Sequence, residues 1–273
     1  MQSRLIVITD LDGTLLDQET YSYKASLPAV QRLNSLKIPL ILCSSKTYSE
    51  IALLWRELGL RDPFIVENGG AIYFTPGYFP FALQGIKSKG SFEGLEIGTS
   101  VSVLRQVLTE TARQCRVSVR TFGAMSLGEV SALTGLTRDQ AALALQREYD
   151  EPFLVERGDR ERLFRALIGK GFAIPRGDRF FHLIGSHGKG KAVKIFLDLY
   201  RRSQPAIFSV GLGDSANDLS LFNQVDRPIL IKKAAGPYDS EVLREMPDIE
   251  RTREIGPAGW REAIERVLRN AST

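Results

Sequence analysis

The residues Leu5-Ile6-Val7-Ile8-Thr9-Asp10-Leu11-Asp12-Gly13-Thr14 place four apolar side chains directly before a pair of aspartates. A short, apolar, β-branched run of this kind predicts a strand that is buried on both faces, as in a parallel sheet. Asp10 and Asp12 are two positions apart, so both can project to one side while Leu11 points away. Two carboxylates in one small volume need a cation or a shared proton to offset their repulsion. A simple turn at Asp12-Gly13 is the alternative interpretation.

Short apolar strands continue to alternate with amphipathic helices up to Tyr73 and again after Gly185. In the first part, helices are predicted over residues 27–36 and 48–58, and strands over residues 38–43 and 64–66. In the second part, a helix carries an apolar face from Val193 to Tyr200, strands are predicted over residues 206–211 and 227–231, and a final helix contains Trp260 to Leu268. This alternation predicts an α/β fold with a doubly wound parallel-sheet, Rossmann-like core.

The middle of the chain follows a different pattern, which begins where prolines and glycines interrupt the alternation after Tyr73. Capping-box spacings at Ser126 and Thr137 predict two helix starts. Strands are predicted over residues 117–121, 153–156 and 180–184, so this block is α/β, or α+β, in character. We therefore predict a core made of residues 1–82 and 186–273 and an inserted domain made of residues 83–185.

A second acidic segment, Gly211-Leu212-Gly213-Asp214-Ser215-Ala216-Asn217-Asp218, also follows a predicted strand. In open α/β sheets, ligands bind at this carboxyl edge of the strands. Asp214 and Asp218 are four positions apart, which stacks them on one face if a helix begins here. The structural alternative is a capping box between Ser215 and Asp218 that merely starts a helix.

Length and composition are those of a globular chain, with 273 residues, 43% of them hydrophobic and 25% charged. These values exclude a disordered, collagenous or coiled-coil protein. The net charge is +4, and the positive residues are scattered, which suits a small anionic substrate. Because no basic and aromatic stripe or recognised binding motif is present, we expect no nucleic-acid partner.

Cysteine content and apolar run lengths indicate the compartment. Cys43 and Cys115 are not spaced as a zinc or redox pair, and both are predicted to be core residues. Only four consecutive apolar residues precede Thr9, so the start of the chain lacks a signal-peptide hydrophobic region. The run over residues 38–43 is too short to span a bilayer. We expect a cytoplasmic protein without membrane contact, and the sequence leaves both a monomer and a homodimer open.

The two acidic segments resemble the first and last motifs of the haloacid dehalogenase superfamily of phosphohydrolases, Asp-x-Asp-Gly-Thr and Gly-Asp-x-x-Asn-Asp. The two intervening motifs of that superfamily can also be found. Ser44 ends the second predicted strand, and Lys189 opens a helix within Ser186-His187-Gly188-Lys189-Gly190-Lys191. Taken alone, Ser44 would be a loop serine and Lys189 a solvated lysine, and Lys191 competes for the lysine position.

This resemblance implies a set of catalytic roles. Asp10 is the expected nucleophile, which forms an aspartyl-phosphate, and Asp12 is the expected general acid and base. Ser44 and Lys189 are expected to bind the phosphoryl oxygens. The inserted domain is expected to be a cap that excludes water and recognises the leaving group.

The resemblance also implies a magnesium cofactor. Mg²⁺ is expected to be held by Asp10, Asp214 and the backbone carbonyl of Asp12, with water and phosphate completing its octahedral coordination. Asp218 is expected to orient Lys189 or a water molecule from behind these ligands.

Several further stretches resemble the mannosyl-3-phosphoglycerate phosphatase family. They are Ser44-Ser45-Lys46-Thr47, Glu67-Asn68-Gly69-Gly70-Ala71, Leu133-Thr134-Gly135-Leu136-Thr137, Arg147-Glu148-Tyr149-Asp150-Glu151-Pro152-Phe153 and Arg179-Phe180-Phe181-His182-Leu183. The implied partner is a small anionic phosphosugar, which needs cationic groups and hydroxyl-binding acceptors. The expected substrate-binding residues are Ser45, Lys46, Asn68, Arg147, Glu151, Arg179, His182 and Asn217.

Plainer interpretations stay open for the predicted cap residues, and other functions fit the same motifs. The segment from Arg147 to Phe153 can be an ordinary charged helix end, and His182 can be a hydrogen-bonded core histidine. The alternative functions are a phosphatase of glucosyl-3-phosphoglycerate, sucrose phosphate or a hexose phosphate, a phosphomutase, and a non-catalytic phosphate-binding module.

Overall fold

The computed structural model describes residues 4–177, 179–234, 236 and 238–271. In chain order, its strands are β1 (Arg4–Thr9), β2 (Leu40–Cys43), β3 (Phe64–Val66), β4 (Ala71–Phe74), β5 (Ile86–Lys89), β6 (Phe92–Glu96), β7 (Ser118–Thr121), β8 (Glu151–Arg157), β9 (Phe181–Leu183), β10 (Ile207–Gly213), β11 (Arg227–Lys232) and β12 (Glu250–Ile255). The helices are α1 (Leu27–Ser35), α2 (Tyr48–Glu57), α3 (Val101–Cys115), α4 (Leu127–Thr134), α5 (Arg138–Ala144), α6 (Arg160–Gly169), α7 (Lys189–Ser203), α8 (Leu219–Phe222), α9 (Ser240–Glu245) and α10 (Gly256–Ala271).

A nine-stranded sheet in the order β12-β11-β10-β1-β2-β3-β4-β6-β5 forms the core. The six strands from β12 to β3 pair in parallel, and β4, β6 and β5 join them antiparallel. The predicted α/β class with a Rossmann-like core is therefore confirmed. β1 lies between β10 and β2, and Thr9 is in register with Leu212, so the acidic segments after β1 and β10 leave the sheet side by side.

Apolar side chains cover both faces of this sheet. Helices α1, α2 and α10 pack on one face, with Leu33, Ile51 and Trp260 fully buried. Helix α7 packs on the other face, with Val193 and Phe196 fully buried. Each such side chain contributes about 1.5–3 kcal/mol of burial free energy. Hence β1 is buried on both faces, as its continuous apolar run predicts.

A second sheet, in the order β7-β8-β9, lies within the predicted insertion. Helices α3 and α6 pack together through Leu104, Leu108, Leu163 and Leu167, which are fully buried with Phe153 of β8. A smaller cluster around Val130 of α4 and Ala141 of α5 lies beside it. Both predicted capping boxes are present at the starts of these two helices, at Ser126 and Thr137.

Several elements were not predicted, for identifiable reasons. β4 is a four-residue strand directly after the turn at Glu67, and β12, with the sequence ERTREI, is an edge strand in which only Thr252 is buried. β12 has no apolar run, whereas β4 is apolar throughout but follows β3 after a tight turn, where the alternation of strands and helices predicts no second strand. The hairpin of β5 and β6 pairs with β4 in the large sheet, although residues 86–96 fall inside the predicted insertion. The division at residues 82–83 and 185–186 stays a prediction.

The structure also bears on the predictions about the two cysteines and about membrane-spanning segments. Cys43 and Cys115 are buried and unpaired, as predicted. Burial raises the pKa of the Cys43 thiol to about 12, so this thiol is protonated at neutral pH. No helix in the described ranges has the length and apolar character needed to cross a bilayer.

Phe196 offers a direct test of the α7 packing. Replacing Phe196 with alanine is expected to lower the free energy of unfolding by about 3–5 kcal/mol, because the side chain is fully buried and leaves a cavity. The matched control is Phe208→Ala in β10, whose side chain is 40% exposed and whose loss should cost about 1 kcal/mol or less. Urea unfolding followed by circular dichroism measures both, and equal losses would contradict the packing described.

Candidate active site

The carboxyl ends of β1, β2 and β10 deliver the predicted catalytic residues to one place. Asp10 follows β1, Ser44 follows β2, and Asp214 follows β10. The backbone N–H of Asp10 donates to the carbonyl of Leu212 at 2.9 Å, which extends the β1–β10 ladder to this aspartate. This sheet edge is the position that the acidic segments predict for a ligand site.

Lys189 lies at the centre of this group. Its Nζ donates to Asp10 Oδ1 at 2.6 Å and to Asp218 Oδ1 at 2.7 Å. The lysine is 2% exposed, whereas Lys191 is on the exposed surface of α7, so the structure selects Lys189 over its competitor. Burial alone would lower the pKa of Lys189, but the two carboxylates raise it above its ordinary value and keep the ammonium charged.

Asp218 combines the two interpretations that the sequence left open. Its Oδ2 accepts the backbone N–H groups of Asp214 and Ser215 at 3.1 and 3.2 Å, and the capping box with Ser215 is present. Its Oδ1 accepts from Lys189. Asp218 therefore both shapes the loop that carries Asp214 and holds the lysine beside Asp10.

The positive charges near Asp10 and Asp214 do not fully balance the negative charges of these two carboxylates. Burial, partly offset by Lys189, raises the pKa of Asp10 to about 7. Burial and the neighbouring Asp218 and Asp10 raise the pKa of Asp214 well above its ordinary value, although Lys233 lies 3.7 Å away. These shifts show that a further positive charge would stabilise the ionised forms of both carboxylates.

The residues present fit a divalent cation. Among the described residues, Asp10, Asp214 and Asp218 each offer a carboxylate oxygen, and these atoms lie within 4.8 Å of one another. Hard oxygen donors of this kind suit Mg²⁺. Gly13 helps to keep the space open, because its φ is +74° and a Cβ there would lie 3.0 Å from Asp214 Oδ2. The Asp12 side chain is not part of this cluster.

The Asp12 side chain instead contacts Lys46. The Lys46 ammonium is 3.1 Å from Asp12 Oδ1, 3.7 Å from Glu50 and 4.7 Å above the ring of Tyr21. These anions raise the pKa of Lys46 above its ordinary value even though burial opposes the charge. Lys46 is therefore a fixed cation beside the predicted acid and base.

Ser44 and Ser45 occupy different surroundings at the end of β2. Ser44 is almost completely buried, and its Oγ accepts the backbone N–H of Lys46 at 3.3 Å. Ser45 lines the main cavity. The predicted helix start at Thr47 is also present, since Thr47 and Glu50 form a complete capping box. The β2–α2 loop is thus held rigidly under the cavity.

A cavity of about 620 Å³ lies between the sheet edge and the second sheet. The predicted residues on its lining are Asp10, Asp12, Ser45, Lys46, Arg147, Arg179, His182, Asp214 and Asn217. Lys189, Asp218 and Ser44 lie behind this surface, because all three are buried and none is on the lining. The catalytic and cap residues predicted from separate parts of the chain therefore meet around one volume.

Glu151 is not brought to the cavity, and its predicted contact with substrate is not supported by its position. Its carboxylate is buried in the small sheet, where it accepts from Arg105 Nε at 2.7 Å and from the backbone N–H of Gly123 at 2.8 Å. Because β8 alternates its side chains, the neighbour of a cavity-facing residue points into the opposite layer. Glu151 thus holds β8 to α3.

Asn68 also lies off the lining, between Asp150 and the predicted residue Asn217. Its Nδ2 donates to Asp150 Oδ2 at 2.7 Å, and its Oδ1 accepts from Asn217 Nδ2 at 3.2 Å. The buried side chain therefore connects the loop after β10 to the start of β8. Asn68 is placed to orient neighbours rather than to touch a ligand.

Arg147 and Arg179 both reach the cavity but use part of their guanidinium groups elsewhere. Arg147 Nη1 donates to the carbonyl of Ser45 at 2.6 Å and lies 3.8 Å from Asp150. Arg179 Nη1 donates to the carbonyl of Leu133 at 2.8 Å. Arg147 therefore ties the segment before β8 to the β2–α2 loop, while Arg179 lies on an exposed rim.

The lining also includes residues that the sequence analysis did not single out, among them Tyr21, Arg176 and Lys233. Lys233 directly follows β11, which the sequence predicts to be a parallel strand. Because ligands bind at the carboxyl ends of such strands, this position could have identified Lys233 as a site residue. Tyr21 and Arg176 lie in loops without a motif. Nothing in their local sequence distinguishes them from other loop residues.

Polar contacts close the second sheet and its helices over the core. Thr47 Oγ1 donates to the carbonyl of Leu143 at 3.0 Å, and Ser49 Oγ donates to Gln146 at 2.7 Å. Tyr21 Oη is 3.4 Å from the carbonyl of Thr134. These contacts join α2 and the β1–α1 loop to α4 and α5 beside the cavity.

Comparison with known proteins gives three kinds of likeness. A family model described as haloacid dehalogenase-like hydrolase matches residues 7–82. The glucosyl-3-phosphoglycerate/mannosyl-3-phosphoglycerate phosphatase of Methanococcoides burtonii is 38% identical over 261 residues, which are 95% of each chain. The mannosyl-3-phosphoglycerate phosphatase of Pyrococcus furiosus is 36% identical over 226 residues, 83% of this chain and 90% of that one.

A solved structure provides the third likeness. The sucrose-phosphatase of Synechocystis, in complex with sucrose and phosphate, matches with a TM-score of 0.61 and 16% identity. The match covers 97% of this chain and 98% of that chain. At this identity, the likeness shows a shared fold alone.

Removal of the buried ammonium tests the central contact of the site. Lys189→Met is expected to lower the free energy of unfolding by about 3–5 kcal/mol at pH 8, because Asp10 and Asp218 lose their buried partner. Lys191→Met, on the exposed face of the same helix, should cost less than about 1 kcal/mol. Urea unfolding in EDTA measures both variants. A Lys189→Met protein as stable as the Lys191→Met protein would contradict the arrangement.

The raised pKa of Asp10 predicts a pH dependence of stability without metal. Asp10 titrates near 3.8 when unfolded and near 7 when folded, so its contribution is fully present below pH 4 and lost as pH rises through 7. In EDTA, the unfolding temperature of the wild type should therefore fall more between pH 5 and pH 8 than that of Asp10→Asn. Added Mg²⁺ should restore the wild type more than the variant at pH 8. Parallel pH profiles for the two proteins would reject this assignment.

Proposed function

The chain belongs to the haloacid dehalogenase-like hydrolases, in the family of the mannosyl-3-phosphoglycerate phosphatases, and we propose that it releases phosphate from mannosyl-3-phosphoglycerate. It is a phosphoric monoester hydrolase of phosphosugars. The observation that carries the finer proposal is the placement of Asp10 on the lining of this cavity, 2.6 Å from the Lys189 ammonium.

Asp10 is the proposed nucleophile. One of its carboxylate oxygens would form a bond to phosphorus as the bond from phosphorus to the leaving oxygen breaks, which gives an aspartyl-phosphate. Water would then attack this phosphorus, and the bond to Asp10 would break to release phosphate. Lys189 keeps one Asp10 oxygen fixed by its 2.6 Å hydrogen bond, so the other oxygen is the one presented to the substrate.

Asp12 is the proposed acid and base. It would give a proton to the departing alkoxide and later take one from the attacking water, so its proton count is restored after each turnover. Its side chain is on the cavity lining, two residues after Asp10, with Lys46 at 3.1 Å. An entering phosphate would offer the Lys46 ammonium a second anion, which weakens its hold on Asp12.

Mg²⁺ is the proposed cofactor, held by the carboxylates of Asp10 and Asp214 and by the backbone carbonyl of Asp12. When bound, it would act as a Lewis acid toward the phosphoryl oxygens. Asp218 is left to its hydrogen bonds with Lys189 and the loop backbone. The excess of buried negative charge at Asp10 and Asp214 supports this proposal.

The cavity lining supports a substrate with several anionic groups and hydroxyls. A phosphate near Asp10 would face Lys46, and a carboxylate would find the guanidinium groups of Arg176 and Arg179 on the rim. His182 and Asn217 offer partners for hydroxyl groups. We assign the part of residues 83–185 that follows the β5–β6 hairpin to a cap that covers the leaving group and keeps bulk water from the aspartyl-phosphate.

Glucosyl-3-phosphoglycerate is the second proposed substrate. The relative from Methanococcoides burtonii is named for both glycosyl esters. The two sugars differ in the orientation of one hydroxyl, and a binding site discriminates such a pair only where it surrounds that hydroxyl closely. We therefore expect activity on both esters, with the mannosyl ester preferred.

Phosphate release tests this proposal directly. The substrates are mannosyl-3-phosphoglycerate, glucosyl-3-phosphoglycerate, sucrose phosphate and mannose 6-phosphate, each with Mg²⁺ or EDTA. The highest kcat/KM is expected for the mannosyl ester with Mg²⁺. Asp10→Asn should lower it at least about a thousandfold, because the amide is not a nucleophile. The matched control, Asp198→Asn on the exposed face of α7, should keep full activity.

Other outcomes reject different parts of the proposal. Metal-dependent hydrolysis that favours sucrose phosphate or mannose 6-phosphate would retain the chemistry and reject the substrate. Transfer of phosphate to a second hydroxyl, without net release, would indicate a phosphomutase. No turnover of any ester by the folded, Mg²⁺-loaded protein would indicate a phosphate-binding module.

A further inference from the structure

His182 and Asp150 form a buried pair at the wall of the cavity. The Nδ1 atom of His182 lies 2.9 Å from each carboxylate oxygen of Asp150. Asp150 is fully buried immediately before β8, while His182 lies on β9 opposite Pro152. The two strands thus hold the aspartate behind the imidazole, on the side away from the cavity.

Asp150 is held in its ionised form. Burial alone would raise its pKa, but His182, Arg147 and Asn68 outweigh burial and hold the pKa of Asp150 below its ordinary value. Asn68 Nδ2 donates to it at 2.7 Å, and Arg147 Nη1 lies 3.8 Å away. A carboxylate can only accept hydrogen bonds, so the facing nitrogen of His182 must carry a proton.

The second ring nitrogen of His182 is directed to the ligand space. His182 lines the cavity, and within the described part of the chain its Nε2 has no hydrogen-bond partner. Gly177 provides the room for this nitrogen, because a Cβ at that position would lie 2.7 Å from Nε2. An imidazole with its proton on Nδ1 presents a lone pair at Nε2, which accepts a hydrogen bond.

We propose, building on the proposed function, that His182 Nε2 accepts a hydrogen bond from a sugar hydroxyl of the substrate and that Asp150 is the positioning residue that makes this possible. The pair thereby determines the preference for leaving groups that carry a sugar. His182 contacts the substrate, whereas Asp150 affects the substrate contact through the orientation and protonation of the ring.

The surrounding contacts connect this pair to the catalytic loop. Asn68 joins Asp150 to Asn217, whose Nδ2 donates to Asn68 Oδ1 at 3.2 Å. Asn217 itself lies between Asp214 and Asp218 in the loop after β10. One hydrogen-bonded chain therefore links His182 to the loop that carries Asp214.

Kinetics with two esters separate substrate recognition from stability. Mannosyl-3-phosphoglycerate carries sugar hydroxyls, and p-nitrophenyl phosphate carries none. His182→Gln and Asp150→Asn should each lower kcat/KM for the mannosyl ester by about ten- to hundredfold and for p-nitrophenyl phosphate by less than about threefold. The double variant should lose no more than His182→Gln alone, because Asp150 acts through His182. Asp139→Asn, on the exposed face of α5, is the matched control.

Nuclear magnetic resonance of the imidazole nitrogens gives a readout that a purely structural role would not move. The chain contains two histidines, His182 and His187, so both rings can be assigned. His182 should be protonated at Nδ1 in the Asp10→Asn protein and should lose this preference when Asp150→Asn is added. Mannosyl-3-phosphoglycerate bound to Asp10→Asn should shift the Nε2 signal of His182 while leaving His187 unchanged.

Two results would overturn the inference. One is an equal loss on both esters in His182→Gln, which indicates a structural role. The other is saturation of Asp10→Asn with the mannosyl ester and no change at His182 Nε2. If the wild type instead prefers sucrose phosphate or a hexose phosphate, the proposed substrate is wrong, and the same ratio measured with that ester still decides the role of His182.

Discussion

Lys189 places an ammonium 2.6 Å from Asp10 and 2.7 Å from Asp218 in a region where all three side chains are nearly inaccessible to water. Taking such charges out of water costs several kcal/mol for each ion, and only close pairing offsets this cost. This need for close pairing constrains where β1 and β10 end and where α7 begins, because the side chains that follow these strands must lie within hydrogen-bond distance of Lys189. The apolar layers on both faces of the sheet hold these elements in place.

The acidic segments could be recognised from the sequence because strand, turn and carboxylates are neighbours in the chain. Asp10 and Asp214 each directly follow an apolar run, and the capping boxes at Thr47 and Ser126 are complete within four residues. The contact between Lys189 and Asp10 spans 179 positions, so only the family motifs brought these two residues together. Local sequence patterns predicted the helices and strands. The resemblance to the family predicted which residues lie close together.

The cap residues were harder to place for a physical reason. A charged residue on a half-buried strand can face the cavity or the opposite layer, and a single shift in register exchanges the two. Glu151 faces Arg105 in the opposite layer, whereas His182 on the neighbouring strand faces the cavity. Similarly, β12 carries alternating charges with one buried threonine, so no apolar pattern marked it as a strand. The sequence therefore predicts the position of residues that follow a strand better than the direction in which side chains within a strand point.

Two kinds of contact join the predicted cap to the predicted core, and their strengths differ. At the base of the cap, the buried Glu67 carboxylate accepts the backbone N–H groups of Glu148 and Tyr149. Such buried groups are costly to separate, because each leaves an unpaired polar atom. Over the mouth of the cavity, the contacts are single hydrogen bonds such as those from Thr47 and Ser49, each worth about 0.5–1.5 kcal/mol net. Separating Glu67 from its two backbone donors is therefore costlier than breaking the hydrogen bonds of Thr47 and Ser49, so the turn after β3 is the firmer of these two attachments to the core.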